Sequence, residues 1–388
     1  MRETPTILFT NAKIIGASKM IQQGWLYVEG STIKKFGDGQ DYRDLQPVET
    51  IDCHGQAMLP GYIDLHTHGA VGGDFVFGDH NQIDQISRFF ASHGVTGFLA
   101  TTYAASPSEI TQALQTIKAC VGTETGARIL GVHLEGPWLN PNKAGAQSLT
   151  NIRLADPVEV LPYLDSGLVR LVALAPEIPE NQWLIKECQE RKITVAAGHT
   201  LAGYEEMLAA IQMGVTQITH CFNAMNPIHH REPGAVVAAL DSPQVKCELI
   251  ADMLHVHPAV MRLMSKAKSS KGIILITDSI AAAGMPEGAY SLEGQRVIMK
   301  EGAARLEDGT LAGSTLTMDA ALRNYLQAVD LPLEEVWRCT SYNAAEAIGL
   351  DDHKGKIAVG FDADLVLLDS NLHVSMTISE GRIIYQGV

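Results

Sequence analysis

The stretch LPGYIDLHTHGA, residues 59–70, closes an apolar run on two histidines one residue apart, His66 and His68. Side chains in a strand alternate between its two faces, so residues at i and i+2 point the same way. The run AMLPGYIDLH (57–66) reads as a buried strand whose terminal histidines can face one interior. Seven more short apolar runs follow: GVTGFLATT (94–102), ARILGVHLE (127–135), LVRLVALAPE (168–177), ITVAAGH (193–199), VTQITH (215–220), VKCELIAD (245–252) and GIILITD (272–278). Helical patterns such as PSEITQALQTIKACV and LAGYEEMLAAIQMG lie between them. Strand and helix in alternation imply parallel strands joined by helical crossovers. Eight such runs between residues 57 and 278 predict an α/β fold, a (β/α)8 barrel of ordinary size.

The runs end on chemically active side chains. His66 and His68 follow the first, Glu135 ends the third, His199 the fifth and His220 the sixth; Asp252 and Asp278 end the seventh and eighth, and Glu177 the fourth. Barrel active sites are built at the C-terminal strand ends. That loops begin there accounts for one or two polar residues, not for His, Glu and Asp at nearly every end. Three or four histidines with a carboxylate make a ligand set for one or two divalent metal ions, zinc first, with iron, cobalt or manganese compatible. A carboxylate outside that set, beside water acidified by the metal, is a general base. Together these parts suggest hydrolysis of an amide or ester. His133, two residues before Glu135, reads as a packing or supporting residue. His255 and His257 in ADMLHVHP follow a strand by a few residues, so His255 fits substrate contact better than metal ligation. His93, His229, His230 and His353 read as solvated or satisfied polar residues.

Composition narrows the class. The chain has 388 residues, is 46% hydrophobic and carries a formal net charge of −15, which argues against nucleic-acid or anionic-membrane binding but not against a small anionic ligand. Its six cysteines contain no CxxC pair and read as reduced, buried thiols. The segment MRETPTILFTNAKII lacks a signal-peptide core, and no apolar run reaches the length of a membrane helix, so a cytoplasmic protein is expected. Residues 1–55 and 350–388 are rich in short strands with Gly and Asp turns and are expected to form a small β-sandwich domain from both chain ends; residues 56–349 are the expected catalytic barrel.

The motifs PGYIDLHTHG and GFDADLVLLD resemble the amidohydrolase superfamily. HLEGPWLNPNKAGA, AGHT, THCFNAMNPIHHREPG, ADMLHVHP, ITDSIAAAG and LAGSTLTMDAALRN, in this order, are similar to its N-acetylglucosamine-6-phosphate deacetylase family. That resemblance implies that Glu135, His199 and His220 bind the catalytic metal and that Asp278 is the acid/base. It implies that Arg231 binds the substrate phosphate, usually from the neighbouring subunit of a homodimer. It also implies further substrate contacts at Ala146, Gln147, Asn223, Ala224, His255, Leu311, Ala312 and Gly313. Some members lack the paired histidines; this chain keeps His66 and His68, which favours a second metal bridged by Glu135. Where many members have a histidine that polarises the substrate carbonyl, this chain has Gln147, which can donate a hydrogen bond but carries no charge. The nearest alternative is the galacto epimer of the same substrate. A cyclic-amide hydrolase is less consistent, because such enzymes commonly use a carboxylated lysine at a strand end and none occurs here. A non-catalytic scaffold would be expected to have lost ligands that this chain retains.

Overall fold

The eight expected runs form one parallel sheet in chain order: Tyr62–Thr67, Val95–Thr102, Arg128–Glu135, Val169–Leu174, Thr194–Ala197, Gln217–Ile218, Lys246–Ile250 and Ile273–Ile276. This is a computed structural model and describes residues 5–292 and 295–387; the terminal segments read from the sequence thus include residues 1–4 and 388, which lie outside the described residues. The eighth strand returns to the first through a bridge between Ser279 and Thr67 and a 2.8 Å bond from Asp278 N–H to His66 C=O. The sheet is thereby nearly closed into the expected (β/α)8 barrel. Every residue of Val95–Thr102 is buried, as a strand covered on both faces requires.

The helices between the strands start where local chemistry directs. Asp79 and Ser106 each cap a helix through a reciprocal capping box, with Gln82 and Glu109 as partners, and Pro107 opens the second of these helices. Helix His80–Ser92 buries Ile83, Ile86, Phe90 and Ala91 along one stripe, which seats it on the barrel.

The first run divides. Ala57–Pro60 pairs with Thr6–Ile14 and Leu365–Leu368 in the sheet made by the chain ends, and only Tyr62–Thr67 belongs to the barrel. The change of sheet falls at Gly61, where a Cβ would lie 2.1 Å from Thr96 Cγ2. Hydrophobic continuity hides such a crossing, because both halves are buried. The terminal sheet orders Arg382–Gln386, Val374–Ser379, Leu365–Leu368, Ala57–Pro60, Thr6–Ile14, Ile21–Glu29 and Thr32–Asp38, with Glu49–Asp52 beside Thr6–Ile14. It therefore runs on through Pro60, past the boundary read at 55. Phe9, Ile14, Leu26, Ile33, Met58 and Leu365 are part of its own apolar core. A three-stranded antiparallel sheet, Gly288–Leu292, Gln295–Lys300 and Ala303–Leu306, follows the eighth barrel strand and had no counterpart in the sequence reading. All six cysteines are free and buried. No helix among the described residues is long and apolar enough to cross a membrane.

Candidate active site

Four imidazoles surround one carboxylate at the C-terminal mouth of the barrel. The Nε2 atoms of His199, His220 and His66 lie 3.1, 2.9 and 3.5 Å from Glu135 Oε1, and that of His68 lies 3.3 Å from Oε2. Asp278 Oδ1 lies 3.4 Å from His66 Nε2 and 3.2 Å from His68 Nε2. His66, His68 and Glu135 form one group whose ligand atoms lie within 4.8 Å of one another, and Glu135, His199 and His220 form a second. Glu135 is common to both.

The backbone reaches this arrangement in two ways. His66 and His68 sit at alternate positions at the end of the first strand, and their rings turn to one side with centroids 5.2 Å apart. His199, His220 and Asp278 lie just beyond their strands in the left-handed region, at φ 46°, 26° and 50°. Non-glycine residues there are strained by about 1–3 kcal/mol each, and such strain gathers at functional sites. Gly313 packs against the eighth strand end: a Cβ there would be 2.9 Å from Asp278 C=O, at a φ of 57°.

The donor set fits a divalent cation. His199 Nδ1 donates to Lys143 C=O at 2.8 Å and His66 Nδ1 to Glu248 Oε2 at 3.0 Å, so the Nε2 lone pairs of both rings turn inward. The Nε2 atoms of His199 and His220 face each other at 3.2 Å, which two N–H groups would not tolerate. Burial opposes charge on Glu135, but His66 and the close approach of the His199 and His220 rings outweigh it and hold this carboxyl well below the usual range. Burial likewise opposes charge on Asp278, and His66 and His68 overcome it, so its carboxyl too is held below the usual range. His68 loses basicity to burial but gains more from Asp278 and Glu135, which raise it to about 9.

A sequence profile of the amidohydrolase family matches residues 57–384. The chain belongs to the amidohydrolase family. It is 36% identical to the N-acetylglucosamine-6-phosphate deacetylase of Bacillus subtilis over 98% of this chain and 97% of that protein. It is 37% identical to the N-acetylgalactosamine-6-phosphate deacetylase of Escherichia coli O157:H7 over 87% of this chain and 90% of that one. A mutant N-acetyl-D-glucosamine-6-phosphate deacetylase from Mycobacterium smegmatis, solved in complex with N-acetyl-D-glucosamine 6-phosphate, matches the fold with a TM-score of 0.91 at 32% identity, covering 98% of this chain and 99% of that one.

In this amidohydrolase a cavity of about 210 Å³ opens onto the cluster. Ala146, Gln147, Asn223, Ala224, His255, Leu311 and Gly313 line it with His68, Glu135, His199, His220 and Asp278. His66 lies beneath, fully buried, and Ala312 is buried behind the wall, donating its N–H to Ala304 C=O at 3.0 Å. Arg231 is not brought to the cavity: it is exposed, with its guanidinium 2.7 Å from His230 Nε2, and borders a separate groove with Tyr204 and Glu232. Gln147 is held at both ends, donating to Glu135 Oε2 at 2.6 Å and accepting from Ala104 N–H at 2.7 Å. Glu177 takes no part in the cluster; it accepts from Asn140, Thr200 and the Leu201 N–H and braces the loop after His199. His255 is fixed by Asp252 at 2.6 Å. His133 is buried with its ring edge against His66, and burial holds it well below its ordinary pKa. The sequence reading missed Tyr103, Leu292 and Thr310 in the cavity wall, and Glu248 beneath it. Leu292 arrives with the inserted sheet, for which no motif stood in the sequence, and Thr310 directly precedes the LAGS motif at 311–314. Glu248 lies inside VKCELIAD, where the apolar run concealed its one buried charge.

Proposed function

We propose that this amidohydrolase cleaves the N-acetyl group of N-acetylglucosamine 6-phosphate, giving glucosamine 6-phosphate and acetate in amino-sugar breakdown. The observation that carries the reading is the convergence of four imidazole Nε2 atoms on Glu135, with Asp278 beside them at the floor of a small cavity. The relatives named for this reaction cover nearly the whole chain.

The cofactor is a divalent metal, and zinc suits a set of imidazoles and one carboxylate. Glu135, His199 and His220 would hold one ion, and His66 and His68 with Glu135 a second. Such an ion acidifies water toward neutrality and polarises a carbonyl oxygen. Asp278 takes a proton from the attacking water as oxygen adds to the acetamide carbon. It then gives that proton to the sugar nitrogen as the C–N bond breaks, so acetate and the free amine leave. Gln147 keeps Glu135 in place and can turn its second amide hydrogen toward the cavity. His255, Asn223, Ala224, Ala146, Leu311 and Gly313 shape the sugar pocket, with Ala312 behind them.

The working unit we propose is a homodimer. Among the described residues no Lys or Arg lines the cavity, so a sugar phosphate needs a cation from elsewhere. Arg231 is exposed, outside its own cavity, and suits a phosphate through its planar fork. Ile228 and Leu263 are exposed along a groove that shares Asn226 and Pro227 with the one Arg231 borders, an apolar face that a second copy would cover. Free, buried cysteines fit a cytoplasmic location.

The test is acetate release from N-acetylglucosamine 6-phosphate and N-acetylgalactosamine 6-phosphate, side by side, with metal counted in the same samples. Faster turnover of the gluco sugar is expected. Faster turnover of the galacto sugar would move the assignment to the epimer, which the Escherichia coli relative makes the second reading. No acetate from either, with metal bound, would end the deacetylase assignment.

A further inference from the structure

We infer that Glu248 is the positioning residue that makes His66 a metal ligand, and so decides whether the His66/His68 half of the centre fills. The inference rests on the metal reading above. Glu248 lies on the seventh barrel strand and is fully buried. Its Oε2 accepts from His66 Nδ1 at 3.0 Å and from the His220 N–H at 3.1 Å. Its Oε1 accepts from Gln217 Nε2 at 2.5 Å. The ion-pair partner of this carboxylate is His66, with no Lys or Arg recorded beside it among the described residues.

A buried carboxylate is costly unless it is paired and hydrogen-bonded. A polar hub that only filled the barrel would be served as well by an amide. A carboxylate on Nδ1 does two things an amide does less well. It fixes the tautomer, so the Nε2 lone pair faces Glu135 and Asp278, and it makes that lone pair more basic. The bond to the His220 N–H anchors the carboxylate itself and spans the two halves of the centre through the backbone.

The surroundings supply a conservative probe. Among the described residues Gln217 Oε1 has no hydrogen-bond partner. In Glu248→Gln the new amide can donate to that oxygen once the Gln217 amide turns, while its own oxygen still accepts from His66. Every hydrogen bond then survives and only the charge is lost. Glu248→Leu removes both.

The experiment is equilibrium dialysis of the full chain against buffered zinc, with ions counted per chain, for wild type, Glu248→Gln, Glu248→Leu and His66→Asn. Absorption spectra of the cobalt-loaded proteins are read alongside. We expect two ions in wild type. One of them should weaken about tenfold in Glu248→Gln, with the other ion held as before, and about 100-fold in Glu248→Leu, approaching His66→Asn, with the other ion weakened far less through the lost bond to the His220 N–H. In Glu248→Gln the cobalt bands should change for the weakened position only, which a general loosening of the barrel would not produce. Two ions at wild-type affinity in Glu248→Gln and Glu248→Leu would overturn the inference while leaving the metal reading intact. A wild type whose binding is unchanged by His66→Asn would instead sink the two-ion reading and the inference with it. If Glu248→Leu does not fold, Glu248→Gln decides alone.

Discussion

Two carboxylates in this molecule are met by histidine, and they are built to different ends. Asp319 opens helix Met318–Val329 and is satisfied by two local partners and one distant one: Thr317 Oγ1 at 2.6 Å, Arg323 Nη1 at 2.8 Å and His93 Nδ1 at 2.9 Å. The His93 ring is 28% exposed and can reach water. Among the described residues Glu135 has no Lys or Arg partner; four imidazoles face it, and His66 has no exposure at all. Arg323 stays charged at any ordinary pH and so answers the carboxylate of Asp319 without depending on a histidine's proton. At Glu135 the charge is left to groups that can be neutral with their lone pairs turned inward, which is what a metal centre needs. Contact between His and a carboxylate is therefore no sign of function. The absence of a fixed cation, together with shared lone-pair direction, is the sign.

The sharpest way to break the contrast is Glu135→Gln. One substitution removes the oxygen atoms common to both ligand groups. Both ions should be lost, and acetate release should fall by about 10⁴-fold or more, since the metal supplies several kcal/mol of transition-state stabilisation. Metal content by elemental analysis checks the first part. A variant that keeps two ions would remove Glu135 from the centre of the argument. Asp278→Asn should leave at least one ion in place and lower kcat by about 10²–10⁴-fold, the usual worth of a general acid/base. If kcat held and only KM rose, Asp278 would be a binding group.

Gln147→Ala should cost less, about tenfold in kcat/KM, because it removes a donor to Glu135 and not a ligand. Gln147→His tests the alternative use of this position, since an imidazole can polarise a carbonyl directly. A gain in kcat would show that the amide is the weaker device here.

The Glu135 side of this contrast was largely legible in the sequence, for physical reasons. Parallel barrel strands are short apolar runs of period-independent burial, and their ends are fixed by the same loops that carry His199, His220 and Asp278. Sequence spacing could therefore name those residues without coordinates. It could not show where one apolar run changes sheet, because Met58, Leu59 and Tyr62 are equally buried on either side of Gly61. It could not see the inserted sheet of 288–306, whose strands alternate without a motif. Nor could it distinguish His93 from His66 by residue type: one is answered by Asp319 and the other by Glu248, partners far apart in the chain. Glu248 itself was hidden by its apolar neighbours, and Arg231 is placed by its motif but not by its own chain's cavity.

The smallest effect, and the one that isolates the structural half of the comparison, is Asp319→Asn. Burial works against the charge of Asp319, but His93, Thr317 and Arg323 more than compensate, and its carboxyl is held well below the ordinary value. A depressed carboxylate stabilises the fold above the unfolded pKa, about 4, and that contribution is lost as pH falls through the folded value, because the unfolded chain takes up the proton first. Replacement by Asn should cost about 1–2 kcal/mol at pH 7, and the deficit should shrink as pH drops below about 4. Urea unfolding at pH 7, 5 and 3 reads the difference, with acetate release measured at pH 7 on the same samples. Activity should be unchanged, since Asp319 touches neither the cavity nor its ligands. A loss of activity without a loss of stability would mean that the two His–carboxylate sites are coupled, and that a fixed cation beside the carboxylate does not by itself mark a structural pair.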